Sequence, residues 1–287
     1  MGCSPAISDL ITAQEQLAEF LQRNRPVLAL SGAGISTASG IGDYRDLSGA
    51  YKRPPPVTIQ AFLASAASRQ RYWARSMFGW PAFSRATANG AHAALAQLEQ
   101  RGMVGALITQ NVDGLHQQAG HRRVLELHGN LHRVNCLQCG ASRERESIQR
   151  WLEFANAHLL GQRPQLAPDG DADLSDAELD RVVVPCCERC GGVVKPDVVF
   201  FGDSVSAATV AEAYAWIDSH RALLILGSSV MIHSSYRFCR RAQQQGVPMA
   251  ALNLGRTRAD DELQLKIEMP CEQVLPTLLE PTAEPGI

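Results

Sequence analysis

The sequence predicts an α/β protein built on a parallel sheet with a smaller module inserted into it, and three observations predict this. Short apolar runs alternate with segments of helical periodicity along much of the chain. The first of these runs ends in a glycine-rich turn. Two stretches break the alternation, and one of them carries two C-x-x-C pairs.

The elements follow in order. Leu10 to Asn24 spaces its apolar residues as one helix face requires. Val27 to Ser31 (VLALS) is the short, nearly continuous apolar run of a strand buried on both faces. Similar runs recur at 105–109, 198–201, 222–226 and 248–253, with helical segments at 92–101 and 207–218 among them. Strands alternating with helices in this way predict parallel pairing. The core is therefore Rossmann-like, made of residues 1–43, 91–132 and 197–287. Residues 44–90 hold a Pro-rich turn at 53–56 and helical segments bearing Trp73 and Trp80. Residues 133–196 hold the cysteines and an acidic loop around Asp169. These two insertions are expected to form one small domain.

The composition sets limits on function. Hydrophobic residues make up 45% of the chain and charged residues 20%, enough apolar material for a sizeable core. A net charge of −2 gives no electrostatic basis for bulk nucleic-acid binding. No apolar run approaches the roughly 20 residues that span a bilayer. The first ten residues lack a basic and then apolar leader, and Ala6 stands where a myristoylation signal needs Ser or Thr. A cytoplasmic location is expected, with its cysteines reduced.

Clustered reduced cysteines point to metal. Cys136-x-x-Cys139 and Cys187-x-x-Cys190 can place four thiolates around one Zn²⁺ at about 2.3 Å. Gly140, Gly191 and Gly192 follow the pairs and allow tight knuckles. Four sulfur ligands close the coordination shell, so the zinc is expected to be structural. Cys186 adjoins Cys187, but only Cys187 has the two-residue spacing to Cys190.

The turn after the first strand, Ser31 to Gly40, is rich in small residues that let backbone N–H groups approach a pyrophosphate, with a helix N-terminus expected behind it. Three other runs end in small or amide side chains: Gln110-Asn111-Val112-Asp113, Gly227-Ser228-Ser229 and Asn253-Leu254-Gly255. Ligands of open parallel sheets bind at such carboxyl ends, so the four together suggest a dinucleotide cleft. His128 closes an apolar stretch before Gly129, and an imidazole titrates in the range of a general base. His116, His121 and His132 compete for that role on sequence alone.

These residues together resemble the sirtuins, NAD-dependent protein-lysine deacylases. The matching text is GAGIS with TASGIGDYR (32–45), TQNVDGLH (109–116), ELHG (126–129), the four cysteines, KPDVVFFGD (195–203), GSS (227–229) and NLG (253–255). RQRYWARSMFGWP (69–81) looks like the class II branch, which has bacterial and mitochondrial members. The resemblance implies that NAD is consumed as a co-substrate: nicotinamide leaves and the acyl group passes to ADP-ribose. It implies that His128 is the general base. Gln110, Asn111, Val112 and Asp113 would line the nicotinamide and ribose pocket. Gly32, Ala33, Gly34, Ile35, Asp43, Tyr44 and Arg45 would form the cofactor loop. Gly227, Ser228, Ser229, Asn253, Leu254, Gly255 and Cys271 would hold the adenosine side. Val199, Phe201 and Gly202 would be the edge on which an acyl-lysine protein segment adds as a strand. Gly42 departs from the family's usual Pro, and Ser235 from a Gly common in the branch.

Tyr72 and Arg75 share a helix face at i and i+3. In a related sirtuin branch this Y-x-x-R pattern reads an acyl carboxylate, so dicarboxylic or branched acyl groups are the expected preference. A mono-ADP-ribosyltransferase and a non-catalytic NAD sensor are the alternative functions.

Overall fold

The computed structural model describes residues 6–43, 45–52, 57–161 and 181–279. Tyr44, the 53–56 turn and the acidic loop around Asp169 lie outside the described residues.

Helix α1 (Leu10–Asn24) begins at Asp9, whose carboxylate accepts from the N–H groups of Ile11 and Thr12. Its Leu17, Phe20 and Leu21 pack down onto the sheet. Strand β1 (Val27–Ser31) is buried along its whole length. α2 (Ile59–Ala64) and α3 (Ala66–Phe83) follow, then α4 (Gly90–Gln100), β2 (Val104–Thr109), a short α5 (Leu115–Gln118) and β3 (Val124–Glu126). The small sheet is made by β4 (Gly129–Cys136), β5 (Ser142–Glu144) and β6 (Val194–Val198), with α6 (Arg145–Ala155) inserted after β5. The chain then returns through α7 (Ala207–Ser219), β7 (Leu223–Leu226), α8 (His233–Gln244), β8 (Met249–Leu252) and β9 (Leu265–Ile267).

The large sheet has the order β3-β2-β1-β7-β8-β9, and every pairing in it is parallel. One face is covered by α1, α4 and the segment around Cys271 and Val274; the other is covered by α7 and α8 through Ala213, Ile217, Phe238 and Ala242. This is the α/β layer architecture the alternation predicts. A third apolar cluster joins Trp73, Ala74 and Met77 of α3 to Val134, Ile148, Leu152 and Val194 around the small sheet. No helix among the described residues is long and apolar enough to cross a membrane.

Three expectations need correction. The run at 198–201 is not a strand of the large sheet. Its start is the end of β6, antiparallel to β4, and Phe201 makes only an isolated bridge to Thr58. A four-residue apolar run shows that a segment is buried but not which sheet buries it. β3 and β9 were not anticipated; each is a three-residue edge strand with half-buried positions, too short for a periodic signal. The glycine turn leads into two 3-10 turns, Ala33–Ile35 and Thr37–Ser39, and not into a regular helix.

Candidate active site and metal centre

The carboxyl ends of β1, β2, β7 and β8 lie side by side, as neighbouring parallel strands must. The loops after β1 and β7 meet backbone to backbone. Gly32 N–H donates to Leu226 O at 3.0 Å and Gly34 N–H to Gly227 O at 2.8 Å. A Cβ on Gly34 would lie 2.9 Å from Gly227 Cα, and one on Gly227 would lie 2.3 Å from Ile35 N. Glycine is required on both sides of this contact, and Gly227 also has a φ of +55°.

The end of β2 adds the polar side chains. Asn111 Nδ2 donates to Gly32 O at 3.1 Å and to Ser36 Oγ at 3.0 Å, and the Ser36 hydroxyl donates to Asp113 Oδ2 at 2.8 Å. Gln110 Nε2 donates to Ser31 O at 3.1 Å and to Ser228 Oγ at 2.8 Å. Burial pushes the Asp113 carboxyl up, opposed by the Leu115 N–H and the Ser36 hydroxyl. His92 completes the group. Its Nδ1 accepts from Asn89 N–H at 3.3 Å in the capping box of α4, so its proton sits on Nε2, 3.4 Å from Ser36 Oγ. Ser36 and His92 had not been singled out in the sequence. The signal for His92 was present as an Asn three residues before it at a helix start.

The four competing histidines separate by environment. His116 is fully buried with Nε2 2.8 Å from Ser31 Oγ, and its ring meets His92 and His121 at centroid distances of 4.9 and 5.4 Å. His121 Nδ1 lies 3.4 Å from Glu99. His132 Nε2 donates to Asp113 O at 3.0 Å, and its ring packs edge-on against Trp80. His128 is partly exposed, with Nδ1 3.0 Å from Gln110 O and Nε2 3.1 Å from Ser234 Oγ. Burial lowers its pKa, opposed by the Gln110 carbonyl. His116 also presents Nε2 to a hydroxyl but is fully buried; His128 is the partly exposed ring tied through Nδ1 to the Gln110–Asp113 segment, with its Nε2 on the Ser234 hydroxyl.

At the β7 and β8 ends, Ser228 and Asn253 are buried, and Asn253 Nδ2 donates to Leu254 O at 2.8 Å. Ser229 O accepts from Arg258 N–H. Gly255 passes so close to the 45–52 loop that a Cβ would lie 2.3 Å from Leu47 O. Cys271 is buried, and burial pushes its thiol up to about 12. It donates to Leu252 O at 3.5 Å and so reaches the site through the β8 backbone. Asp43 pairs with Lys52, and Arg45 lies 3.8 Å over the Tyr51 ring. Ala33 lies in the first 3-10 turn, Ile35 is in the core, and Val112 O accepts from Leu131 N–H.

Val199 N–H donates to His128 O at 2.9 Å, which ties the 199–202 segment to the histidine turn. Ile59 N–H donates to Phe201 O and Gln60 Nε2 to Gly202 O, so the start of α2 occupies two of that segment's carbonyls. Tyr72 packs among Phe62, Trp73 and Phe200 at centroid distances of 5.4, 5.5 and 5.1 Å. Arg75, one turn along α3, is half-buried. A cavity of about 380 Å³ borders Asp113 on the side of Phe83, Glu126 and His132; neither His128 nor the glycine turn lines it.

The sulfurs of Cys136, Cys139, Cys187 and Cys190 all lie within 4.8 Å of one another. Cys136 and Cys190 approach to 3.5 Å, and Cys139 and Cys187 to 3.6 Å. Four ligands at about 2.3 Å from a tetrahedral zinc stand roughly 3.8 Å apart, so the cluster fits the ion. The Cys139 N–H, with that of Gln138, holds the Cys136 thiol down at about 6. Gly140 and Gly191 have φ of +69° and +72° at the two knuckles. Cys186 is exposed and stands outside the cluster. The four thiols make a closed site for one structural zinc.

The profile of the Sir2 family matches residues 32–234. A Bordetella bronchiseptica protein described as an NAD-dependent protein deacetylase is 53% identical over 261 residues, covering 91% of this chain and 95% of its own. A Bradyrhizobium diazoefficiens protein described as NAD-dependent protein deacetylase 2 is 50% identical over 273 residues, covering 95% of this chain and 100% of its own. Among solved structures, a Sir2 with a p53 peptide and NAD⁺ is similar at a TM-score of 0.75 and 28% identity, covering 93% of this chain and 97% of that one. A Sir2 bound to a propionylated peptide is similar at a TM-score of 0.72, with 28% identity and the same coverage.

Proposed function

The chain belongs to the Sir2 family, and from that premise we propose that it is an NAD-dependent protein-lysine deacylase worked by His128 and the Asn111–Ser36–Asp113 group. NAD, when bound, supplies an activated ribose that takes up the acyl group as nicotinamide leaves. The remaining steps belong to this chain. The glycine turn and the turn at Gly227, locked backbone to backbone, form the rigid surface on which a pyrophosphate would sit. Ser228, Ser229, Asn253, Leu254 and Gly255 hold the adenosine side, with Cys271 behind β8. Asn111, Ser36 and Asp113 orient the nicotinamide and ribose end, with Asp43 and Arg45 of the loop after the glycine turn beside it. His128 takes a proton at Nε2, since its Nδ1 is committed to the Gln110 carbonyl. An acyl-lysine segment of a protein substrate adds along Val199, Phe201 and Gly202. The observation that carries the reading is this one: a partly buried imidazole whose Nδ1 is tied to Gln110 O, leaving Nε2 as its basic nitrogen, lies one residue from the Asn111–Ser36–Asp113 network.

Residues 44–90 and 133–196 act as one small domain on this reading, supported by the apolar cluster that joins α3 to α6. A cytoplasmic location suits it, because reduced thiols are what hold the zinc. The acyl pocket has Tyr72 against Phe200, beside Phe201. With Arg75 one turn away on the same helix, we assign it a preference for dicarboxylic or branched acyl groups.

The test is a panel of acetyl-, propionyl- and glutaryl-lysine peptides incubated with NAD and read by mass spectrometry, with His128→Tyr and Arg75→Met alongside. Wild type yields O-acyl-ADP-ribose and free lysine, and His128→Tyr yields neither. ADP-ribosylated protein without O-acyl-ADP-ribose would make it an ADP-ribosyltransferase instead. Equal losses on acetyl and glutaryl peptides in Arg75→Met would remove the acyl preference and leave the deacylase reading standing.

A further inference from the structure

Ser234 lies 106 residues from His128 in sequence, and its hydroxyl touches the one imidazole nitrogen left free for chemistry. The protonation pattern follows from the partners. Gln110 O can only accept, so Nδ1 carries the proton. Nε2 then bears the lone pair, and the Ser234 hydroxyl donates to it at 3.1 Å. Both partners are neutral. Glu126, the nearest acid along the chain, is committed to Gln117, Asn130 and Arg133.

The turn that brings this hydroxyl here is a strained one packed into the core. Ser234 is the second residue of α8, a twelve-residue helix. The turn leading into that helix passes through Val230, which is buried and has a φ of +44°. A β-branched residue in the left-handed region is strained and persists only where its surroundings impose it. Here Ser228 Oγ accepts the Val230 N–H at 3.2 Å and holds the bend. The next serine does not serve the imidazole: Ser235 is fully buried and donates to Ile232 O at 3.1 Å.

We propose that Ser234 is a positioning residue for His128, acting as donor to the neutral ring and as acceptor to the protonated one. A hydroxyl can do both by rotating about one bond. When an incoming hydroxyl surrenders its proton to Nε2, the Ser234 O–H turns away from the nitrogen's lone pair, the incoming O–H bond breaks with its electron pair left on that oxygen, and an N–H bond forms. The ring then carries a proton on each nitrogen. Nδ1–H remains on Gln110 O, and Nε2–H finds an acceptor in Ser234 Oγ. Without that acceptor the imidazolium would be buried with one N–H unpaired, next to the positive end of α8. This role rests on the deacylase reading, in which His128 is the base.

The experiment is a ¹⁵N NMR titration of His128 in the ligand-free, zinc-loaded protein, for wild type, Ser234→Ala and Ser234→Thr, with kcat and KM measured over the same pH range. Wild type should show the Nδ1–H tautomer when neutral. Ser234→Ala should lower the titration midpoint by about half to one unit, because a charge-assisted bond to the imidazolium is lost. Its kcat should fall by roughly five- to tenfold, with the KM for NAD within about twofold. Ser234→Thr keeps the hydroxyl and should restore both. An Nε2–H tautomer in wild type overturns the proposal without any variant. So does an Ala variant that folds with the wild-type midpoint, whatever its activity. If the titration behaves as expected but wild type turns over no acyl peptide, the deacylase reading fails and the hydrogen bond stands.

Discussion

Acid should destabilise this protein through His92, and the size of the effect can be worked out. His92 is fully buried at the start of α4, and burial, with a smaller contribution from His121, lowers its pKa to about 4. In the unfolded chain the same imidazole titrates near 6.5. Below pH 6.5 the unfolded state therefore binds a proton that the folded state refuses until about pH 4. Stability is fully present above 6.5 and is lost as pH falls towards 4. Between pH 7 and pH 5, with one pKa unit equal to about 1.4 kcal/mol, His92 alone costs the fold about 2 kcal/mol. His116 acts in the same direction, lowered first by burial and then by its histidine neighbours. The assay is urea unfolding at pH 7 and pH 5 for wild type and His92→Gln. The amide of Gln can still donate towards Ser36 but cannot take up a proton. Loss of zinc at low pH affects both proteins, so the comparison is between their two losses. Wild type should lose about 2 kcal/mol more than the variant. Equal losses would show that His92 is not held neutral by the fold.

Two further outcomes are expected. Gly227→Ala forces a Cβ to within 2.3 Å of Ile35 N, against backbone that cannot swing away, at a φ of +55°; it should cost at least about 2 kcal/mol and weaken NAD binding more than tenfold by calorimetry, and wild-type affinity and melting temperature would refute the interlocked turns. Purified protein should contain one zinc per chain, Cys187→Ser should lose it with a fall in Tm, and Cys186→Ser should keep it; zinc retained in the first or lost in the second would reassign the ligands.

What the sequence made legible follows from what leaves a local trace. VLALS and the glycines after it announce a buried strand and a close backbone approach within ten residues, and the C-x-x-C pairs announce their metal by spacing alone. The 198–201 run was misplaced because apolarity reports burial, whereas sheet membership depends on partners such as Gly129 and Asn130 that lie far away in the chain. β3 and β9 escaped because three residues cannot display a period. The same limit hid Ser36, His92 and Ser234. Each is an ordinary polar residue in its own segment, and becomes part of the site only when loops more than 50 residues apart converge. The choice of His128 over His116, His121 and His132 was open for that reason too: what separates the four is what each ring meets in space.

The turn at Gly129 has a mechanical consequence. The His128 ring is bonded to the large sheet, through Gln110 after β2 and Ser234 at α8. Its backbone carbonyl is bonded to Val199, just beyond the small sheet, and β4 begins at the next residue. Gly129 turns there with a φ of +82°, and a Cβ would lie 2.0 Å from Asp197 O. The imidazole is thus a pin through two plates. Cys136 closes the far end of β4, so one zinc ligand and the residue after His128 stand on the same strand. On the reading that His128 is the base, the structural metal and the base are thus carried by one strand and the residue before it.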